Sequence, residues 1–264
     1  MIKLENTEVM GWEAAIRGMR NPLNSWKQSD SLFGKNLEIP YSQNNPIILI
    51  DENGVETYIG DNDLNLMKRL RNAGTDHRKF MRMITVYFDI TAPLYWWKEF
   101  DTYKVGTVAN SCSTMHKIAD KEFTLEDFSH EHLFGAKDMI PSDQRDENSI
   151  NKDIALAAVN VDGNDCYFSP NGFIQMTCDI LNRYRNRFLE TKDKRYWWQM
   201  IQLLPSSYNQ RRTVMLNYEV LANMYKSRKN HKLDEWRDFC LWIRTLPYSQ
   251  LITGEFDIPE ENDG

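Results

Sequence analysis

The sequence predicts an α+β fold, and three observations carry that prediction. Residues 83–90 alternate apolar and polar side chains, which is the period of a half-buried strand. Asn53-Gly54 stands between two short apolar runs and favours a β-hairpin. Residues 233–245 space their apolar side chains at helical intervals, so that they share one face. With 264 residues and 41% hydrophobic content, the chain is long and apolar enough to form a packed core.

The first half of the chain divides into five predicted segments. Pro93 suits the first turn of a helix, where its missing N–H leaves no hydrogen bond unmade. Gly74 and Gly106 suit the positions just after a helix. In chain order the segments are a helix over 9–19 closed by Asn21-Pro22, the hairpin over 46–59, a helix over 64–73, the strand over 83–90, and a helix from Pro93 to Gly106.

The second half is mainly helical by its pattern. Residues 137–165 carry the weakest signal and are predicted to be a loop plus one helix. The other predicted segments are helices over 124–134, 171–189, 194–204, 214–229 and 233–245, followed by a loose acidic tail over 254–264. With no internal repeat or clear linker, we expect a single domain over 1–264, with insertions at 46–59 and 135–168.

Composition excludes several classes of protein. A net charge of −6 argues against a basic nucleic-acid-binding surface. Because no apolar run approaches the roughly 18 residues of a membrane span, we expect no membrane partner. The N-terminus lacks an apolar signal core, and the four cysteines are widely scattered. These features favour free thiols in a cytoplasmic protein. His130 and His132 fall on different helix faces, so we expect no metal site.

Residues 107–115 are small and polar, directly after an aromatic-rich helix. Small side chains let backbone N–H groups approach an anion, so this segment is either an anion-binding turn or an ordinary polar surface loop. Cys112 is either a nucleophile, with His116 as the nearest base, or an inert thiol.

One spacing in the sequence would align three polar side chains if a single helix contained them. These are Asn217, Arg228 and His231. At about 100° per residue, Arg228 falls within roughly 20° of Asn217 around the axis, and His231 within about 40°. An amide, a guanidinium and an imidazole would then share one stripe that suits a phosphate or carboxylate. The alternative is a solvated helix face.

Two blocks of the sequence resemble the flavin-dependent thymidylate synthases. The first block is His77, the strand 84–88, Ala92-Pro93 and the helix containing Lys98-Glu99. In the second block the family spacing is met by Leu204-Pro205, Asn217, Leu221, Asn223 and Arg228. The similarity extends from about residue 61 to residue 240, with a poorly matched middle.

The sequence departs from that family at most of its named positions. Thr102, Tyr103 and Lys104 replace the Arg-His-Arg triplet, and Cys112 replaces a serine. The remaining departures are Ala109 and Asn110 for Asn-Glu, Thr114 and Met115 for Arg-Tyr, Glu99 for a glutamine, and Ile201 for an arginine. Lys104 is a candidate to replace one lost positive charge, and Arg211 or Arg212 another.

The resemblance implies a mainly antiparallel sheet flanked by helices and a homotetramer whose sites draw on several subunits. It also implies FAD as cofactor, with NADPH and methylenetetrahydrofolate as co-substrates that convert dUMP to dTMP. The implied cofactor-binding residues are His77, Tyr103, Lys104, Thr107, Asn217, Asn223 and His231. The implied residues for the pyrimidine nucleotide are Glu99, Ser111, Cys112, Ser113 and Arg228.

Three hypotheses follow from the retained and replaced residues. The chain is a flavin-dependent methylase with altered site chemistry that acts on dUMP or a related pyrimidine nucleotide, an inactive relative that binds or sequesters a nucleotide, or a structural assembly protein. The substituted triplet favours the second hypothesis, while the retained His77, Asn217, Asn223 and Arg228 favour the first two over the third.

Overall fold

The computed structural model describes residues 2–39, 47–51, 53–139, 157–161 and 164–256. The chain forms two compact units. The larger unit consists of Ile2–Ile90, Phe100–Asn110 and Arg212–Gly264, and the smaller unit contains Thr91–Glu99 and Ser111–Arg211.

Helices and mostly short strands are mixed along the chain. In order they are β1 (Lys3–Met10), α1 (Trp12–Arg20), β2 (Leu32–Gly34), β3 (Ile48–Ile50), β4 (Glu56–Tyr58), α2 (Asp61–Asn72), β5 (Thr85–Pro93), α3 (Leu94–Phe100), β6 (Val108–Ser111), α4 (Thr114–Lys117), β7 (Ala157–Val161), β8 (Asn164–Phe168), α5 (Pro170–Thr191), α6 (Lys194–Leu203), β9 (Asn209–Asn217), α7 (Tyr218–Arg228), α8 (Asp234–Thr245) and α9 (Gln250–Thr253).

The larger unit contains most of a four-stranded sheet with the order β1-β5-β9-β6. In β5 the side chains alternate between half-buried and buried, and Val86, Phe88 and Ile90 are at most 1% exposed. This is the pattern of a strand with one face on the core. The strand predicted over 83–90 is therefore confirmed, although it begins at Thr85 and continues to Pro93.

The predicted hairpin is also present, as β3 paired antiparallel with β4. The Asp51 carboxylate accepts hydrogen bonds from the backbone N–H groups of Asn53 at 2.9 Å and Val55 at 2.8 Å. The structure adds β2 on the other side of β4, also antiparallel. Residues 46 and 52 of the predicted hairpin lie outside the described residues.

The amphipathic face predicted over 233–245 forms the aromatic core of the larger unit. In α8, Trp236, Phe239 and Ile243 are fully buried. The Phe239 ring lies 6.0 Å from the Phe88 ring of β5, measured between centroids. Burial of each such side chain stabilises the fold by about 1.5–3 kcal/mol. These contacts fasten α8 to one face of the sheet.

A buried ion pair joins α1 to α2 in the same unit. Nε of Arg20 donates to the Asp63 carboxylate at 2.6 Å, and the two side chains are 3% and 0% exposed. The other carboxylate oxygen accepts hydrogen bonds from the hydroxyls of Ser29 at 2.6 Å and Ser31 at 2.7 Å. The charge of Asp63 is thus fully compensated, as a buried carboxylate requires.

The smaller unit is mainly helical, and its core lies around α5 and α6. Ser169 caps α5 by accepting the N–H of Gly172 at 3.0 Å, with Pro170 in the first turn. Trp96 and Trp97 of α3 are 0% and 1% exposed, so they are buried within the chain. The core cluster comprises Ile118, Ala119, Phe123, Phe128, Ile174, Cys178, Leu181 and Met200.

Two of the strands that the sequence did not predict, β1 and β9, replace part of a predicted helix. The helix expected over 214–229 was wrong at its start, because residues up to Asn217 belong to β9. Val214 and Leu216 alternate with less buried neighbours, so the local period is that of a strand. The helix expected over 9–19 begins only at Trp12, since β1 occupies the residues up to Met10.

The helix expected from Pro93 to Gly106 is shorter than predicted. It ends at Phe100, and the following residues form a loop in which Gly106 has φ +76. The polar segment 107–115 is not one loop, because it forms β6 and then the start of α4. Packing of the aromatic residues ends α3 early: Phe100 is 1% exposed, whereas Asp101 and the residue after it are exposed.

Two other predictions need correction. Residues 124–134 contain one 3₁₀ turn, Leu125–Asp127, whose capping box is closed by Thr124 and Asp127. The described residues of 157–168 form the antiparallel hairpin β7–β8, which was not predicted. Residues 140–156 and 162–163 of the segment 137–165, and residues 257–264 of the predicted tail, lie outside the described residues. No helix in the described part of the chain is both long and apolar enough to cross a membrane.

Candidate functional site

The loop after α3 contains three of the predicted cofactor residues, Tyr103, Lys104 and Thr107. Its start is fixed by Phe100, whose ring stacks on Trp236 with centroids 6.5 Å apart. Its end is fixed by Gly106, where an added Cβ would lie 2.8 Å from the Asn217 side-chain nitrogen. Between these points stand Tyr103 and Lys104, from the rewritten triplet.

Arg228 is held in an aromatic setting at the end of α7. Its Nε donates a 3.0 Å hydrogen bond to the Tyr103 hydroxyl. The guanidinium carbon lies 4.7 Å from the ring centroid of Trp236 and 5.7 Å from that of Tyr103. Stacking between two rings restricts the planar guanidinium to one orientation, which is the preorganisation that anion recognition uses.

His231 lies beside this group but outside the helix. Its backbone N–H donates to the Arg228 carbonyl at 2.9 Å, and its ring centroid is 6.3 Å from that of Trp236. The ring nitrogen Nδ1 accepts the N–H of Leu233 at 3.2 Å. His231 and Arg228 are therefore neighbours, as the spacing predicted, although α7 ends before His231.

Asn217 does not share a binding position with Arg228. Its side-chain oxygen accepts the N–H groups of Glu219 and Val220, each at 3.1 Å, so it is the N-cap of α7. With a rise of 1.5 Å per residue, Asn217 and Arg228 are about 16 Å apart along the axis. The predicted angular alignment neglected this axial separation, although the loop containing Gly106 and Tyr103 contacts both residues.

A cavity of about 290 Å³ opens beside the loop. Lys104 and Arg212 supply positive charge at its wall, and Arg212 donates to the Asp101 carboxylate at 2.7 Å. The hydroxyl oxygen of Thr107 is buried and has no hydrogen-bond partner among the described residues. The lining residues are Phe100, Asp101, Tyr103, Lys104, Thr107, Ala109 and Arg212.

A second polar cluster surrounds Glu219 on α7. Its carboxylate accepts from Arg78 Nε at 3.3 Å and pairs with Arg82. Burial raises the pKa of Glu219, but the hydrogen bonds and charges of Arg82 and Arg78 outweigh it and the net pKa is lowered. Arg78 also donates to the Asn223 amide oxygen at 3.0 Å. Asn223 is exposed, and its side-chain oxygen is hydrogen-bonded to Arg78.

His77 stands one residue before Arg78 and is also exposed. Its backbone N–H donates to the Gly74 carbonyl at 3.1 Å, where the chain enters a 3₁₀ turn. Asn223 therefore contacts the Glu219 cluster through Arg78, and neither His77 nor Asn223 lines the cavity at Lys104.

The predicted nucleotide-binding residues Glu99, Ser111, Cys112 and Ser113 belong to the smaller unit. The backbone N–H of Cys112 donates to the Arg211 carbonyl at 3.0 Å, and its thiol is exposed. Ser113 caps α4 by accepting the N–H of His116 at 3.0 Å. The serine is therefore occupied by a structural hydrogen bond. Among the described residues no hydrogen bond joins the Cys112 thiol to the His116 ring.

Sequence reasoning did not identify Trp236, Arg78 or Glu219 as parts of these clusters. Trp236 looked like an ordinary core residue of an amphipathic helix. Its role against Arg228 depends on the turn between α7 and α8, which no local pattern specifies. Arg212 was one of two candidates for a replacement charge, and the cavity includes it while Arg211 belongs to the smaller unit.

Comparison with known proteins identifies the fold. No protein-family model matches the chain, and no curated protein matches it. Two crystal structures of thymidylate synthase ThyX from Helicobacter pylori, both with FAD and dUMP, are similar in structure. One has a TM-score of 0.56 and 15% identity and covers 95% of this chain and 96% of that one. The other has a TM-score of 0.54 and 16% identity and covers 94% and 96%. The chain therefore has a ThyX-type fold, a mixture of helices and antiparallel sheet.

Proposed function

We propose that this protein is a flavin-dependent thymidylate synthase-like enzyme that methylates dUMP or a related pyrimidine nucleotide. The observation that carries the proposal is the ThyX-type fold over 95% of the chain, in which an oriented guanidinium, Arg228, stands beside a cationic cavity. Under this proposal the protein is cytoplasmic and uses NADPH and methylenetetrahydrofolate as co-substrates.

The residues at the cavity fit part of FAD. Its volume of about 290 Å³ suits a fragment such as a phosphate and its ribose, but not a whole dinucleotide. Lys104 offers a positive charge, and the buried hydroxyl of Thr107 offers a hydrogen bond that the described residues do not use. When bound, FAD supplies the hydride transfer. A homotetramer, in which other subunits complete the site, accommodates the rest of the cofactor.

Arg228 is the residue that we assign to the nucleotide phosphate. A guanidinium binds phosphate through charge-assisted hydrogen bonds, and stacking on Trp236, with 4.7 Å from the guanidinium carbon to the ring centroid, sets the plane of this one. In the smaller unit, Ser111, Cys112 and Ser113 carry neutral side chains, and Thr114 and Met115 stand where the family has Arg-Tyr. Neutral contacts are about half as strong as charged ones, so we expect dUMP to bind more weakly than to a site with the full arginine set.

The first experiment is the absorbance spectrum of the purified protein. Flavin bands, with FAD released on denaturation, would support the proposal. A colourless protein that also fails to take up added FAD would exclude flavin chemistry. Lys104→Gln is expected to weaken FAD retention, whereas Lys98→Gln, an exposed lysine on α3, should not.

Activity is tested separately from binding. Calorimetry with dUMP and dTMP, with and without FAD, measures affinity. Complementation of a thymidine-requiring strain measures turnover, and growth without thymidine would establish the synthase reaction.

A second candidate function is nucleotide binding without catalysis. It is favoured by Tyr103, which stands in the rewritten triplet and already accepts a hydrogen bond from Arg228. Binding of dUMP without FAD, combined with failed complementation, would select this alternative.

A further inference from the structure

A groove of about 840 Å³ lies in the larger unit, away from the residues assigned to the nucleotide. It is lined by residues of β1 and β3 together with Trp242, Leu246 and Pro247. Strand β1 stands at the end of the four-stranded sheet, and β3 stands at the end of the three-stranded sheet. Two edge strands from different sheets therefore line one groove.

The groove follows the backbone edges of these strands. In a pleated strand successive side chains point to opposite faces, so a groove on one face touches every second residue. Here the residues from Thr7 to Met10 are consecutive and all line the groove, as are those from Ile48 to Asp51. Asn6 has φ +52, which interrupts the extended backbone of β1. Its side-chain amide donates to the Asp89 carboxylate at 2.8 Å. The extended part of the strand edge therefore begins at Thr7.

The floor of the groove is apolar and firmly held. Trp242 packs on Phe88 with ring centroids 4.6 Å apart, and its Nε1 donates to the Thr7 hydroxyl at 3.2 Å. Among the exposed apolar side chains of the chain are Met10 at 45%, Ile48 at 41% and Ile50 at 66%. Alternate apolar side chains of an added strand would be buried against these surfaces.

The charge of the groove determines which kind of peptide segment can bind there. Its lining contains the acidic residues Glu5, Glu8 and Asp51, and none of its described lining residues is a lysine or arginine. Glu5 is paired with Lys3 of the same strand at 2.8 Å, and the Asp51 carboxylate accepts the N–H groups of Asn53 and Val55, so the exposed Glu8 is the main acidic group offered to a partner. A second copy of the same acidic edge would be repelled, because acidic residues on edge strands disfavour self-pairing. A strand that alternates apolar and basic residues would be attracted.

We propose that this groove binds an extended basic–apolar segment of a partner protein, which adds a strand between β1 and β3. The main chain of the segment pairs with the edges at Thr7–Met10 and Ile48–Ile50. Its apolar side chains face Trp242 and its basic side chains face Glu8. This is strand addition at an exposed sheet edge.

The test uses the full chain and a fluorescein-labelled eight-residue peptide of alternating lysine and valine. Fluorescence anisotropy should show saturable binding. Replacing the lysines by glutamate, or N-methylating the valine amides, should weaken binding by about tenfold or more, because each change removes either charge attraction or strand pairing. Equal binding of the three peptides, or none by the lysine–valine peptide, would overturn the proposal.

Two protein variants locate the contact. Glu8→Lys should weaken the binding of the lysine–valine peptide by about tenfold. Glu122→Lys, an exposed glutamate outside the groove, should leave it unchanged. Hydrogen exchange with bound peptide should slow at the amides of Thr7–Met10 and Ile48–Ile50, and slowing confined to other segments would contradict strand addition. If the groove instead holds a second copy, sedimentation velocity would show that Glu8→Lys changes the assembly, and the proposal would fail.

Discussion

The hydroxyl of Tyr103 accepts a 3.0 Å hydrogen bond from Nε of Arg228, across 125 residues of sequence. The same guanidinium lies over Trp236. This relationship gives the arginine a fixed orientation before any ligand arrives. It also means that the Nε–H of Arg228 already has a protein partner.

Arg228→Ala should weaken dUMP binding by about 2–5 kcal/mol, because it removes a charge-assisted contact. Arg228→Lys should recover only part of this loss, since an ammonium lacks the planar fork. Calorimetry on folded protein measures both effects. Lys226→Ala, an exposed residue of the same helix, is the control and should bind as the parent does. Unchanged affinity in Arg228→Ala would remove the residue from the site.

Gly106→Ala should destabilise the larger unit. An alanine at φ +76 costs about 1–2 kcal/mol in backbone strain. Its Cβ would also lie 2.8 Å from the Asn217 nitrogen, which disturbs the cap of α7. Gly54→Ala shares the strain, with φ +71, but meets no atom within 4 Å. Urea unfolding should therefore rank Gly106→Ala as the less stable variant, and equal stability would show that the contact with Asn217 is easily relieved.

Asp63→Asn should destabilise the protein by about 3–5 kcal/mol at neutral pH, because Arg20 keeps a buried charge without its partner. Asp61→Asn, an exposed residue of the same helix, should cost less than about 1 kcal/mol. Chemical unfolding of both variants makes the comparison. Similar losses would mean that the ion pair adds nothing to stability.

The contribution of Asp63 should also depend on pH. Burial raises the pKa of this carboxyl, but hydrogen bonds from Ser29, Ser31 and Arg20 outweigh burial and leave the pKa lowered. A lowered folded-state pKa gives stability that is complete above the unfolded pKa, near 3.9, and is lost as the pH falls through the folded pKa. The difference in unfolding free energy between Asp63→Asn and the parent should therefore be constant from about pH 5 to 7 and shrink below about pH 4. A difference that persists at lower pH would contradict this assignment.

We expect a homotetramer at micromolar concentration, measurable by light scattering. Tryptophan-rich helices are candidates for subunit interfaces. Trp96 and Trp97 are buried inside the chain and cannot form such an interface, whereas Trp198 is 41% exposed. Trp198→Lys should reduce the assembled fraction, and Trp26→Lys, at a tryptophan that is 51% exposed, should not. A monomeric parent protein would remove the idea of a site shared between subunits.

Local patterns in the sequence determined the elements in which the apolar periodicity and the flanking turn residues indicate the same structure. The strand 83–90, the hairpin at Asn53-Gly54 and the helix 233–245 could be predicted because burial on one face imposes a period on the side chains. The stripe predicted for Asn217, Arg228 and His231 is wrong, because α7 contains neither Asn217 nor His231, although a backbone hydrogen bond joins His231 to Arg228. The expectation of a single domain remains a prediction, as do the ligand roles of the site residues.

Only the tertiary structure decided where the helices stop and which residues meet. Residues 209–217 pair within a sheet, and their burial alternates as in a strand, so residues 214–217 are not part of the predicted helix. The side-chain oxygen of Asn217 caps a helix because α7 begins directly after it. Tyr103, Arg228 and Trp236 meet through turns whose direction depends on packing of the whole core. A local pattern indicates which residues are buried, but only the packing of the whole chain decides which distant residues they contact.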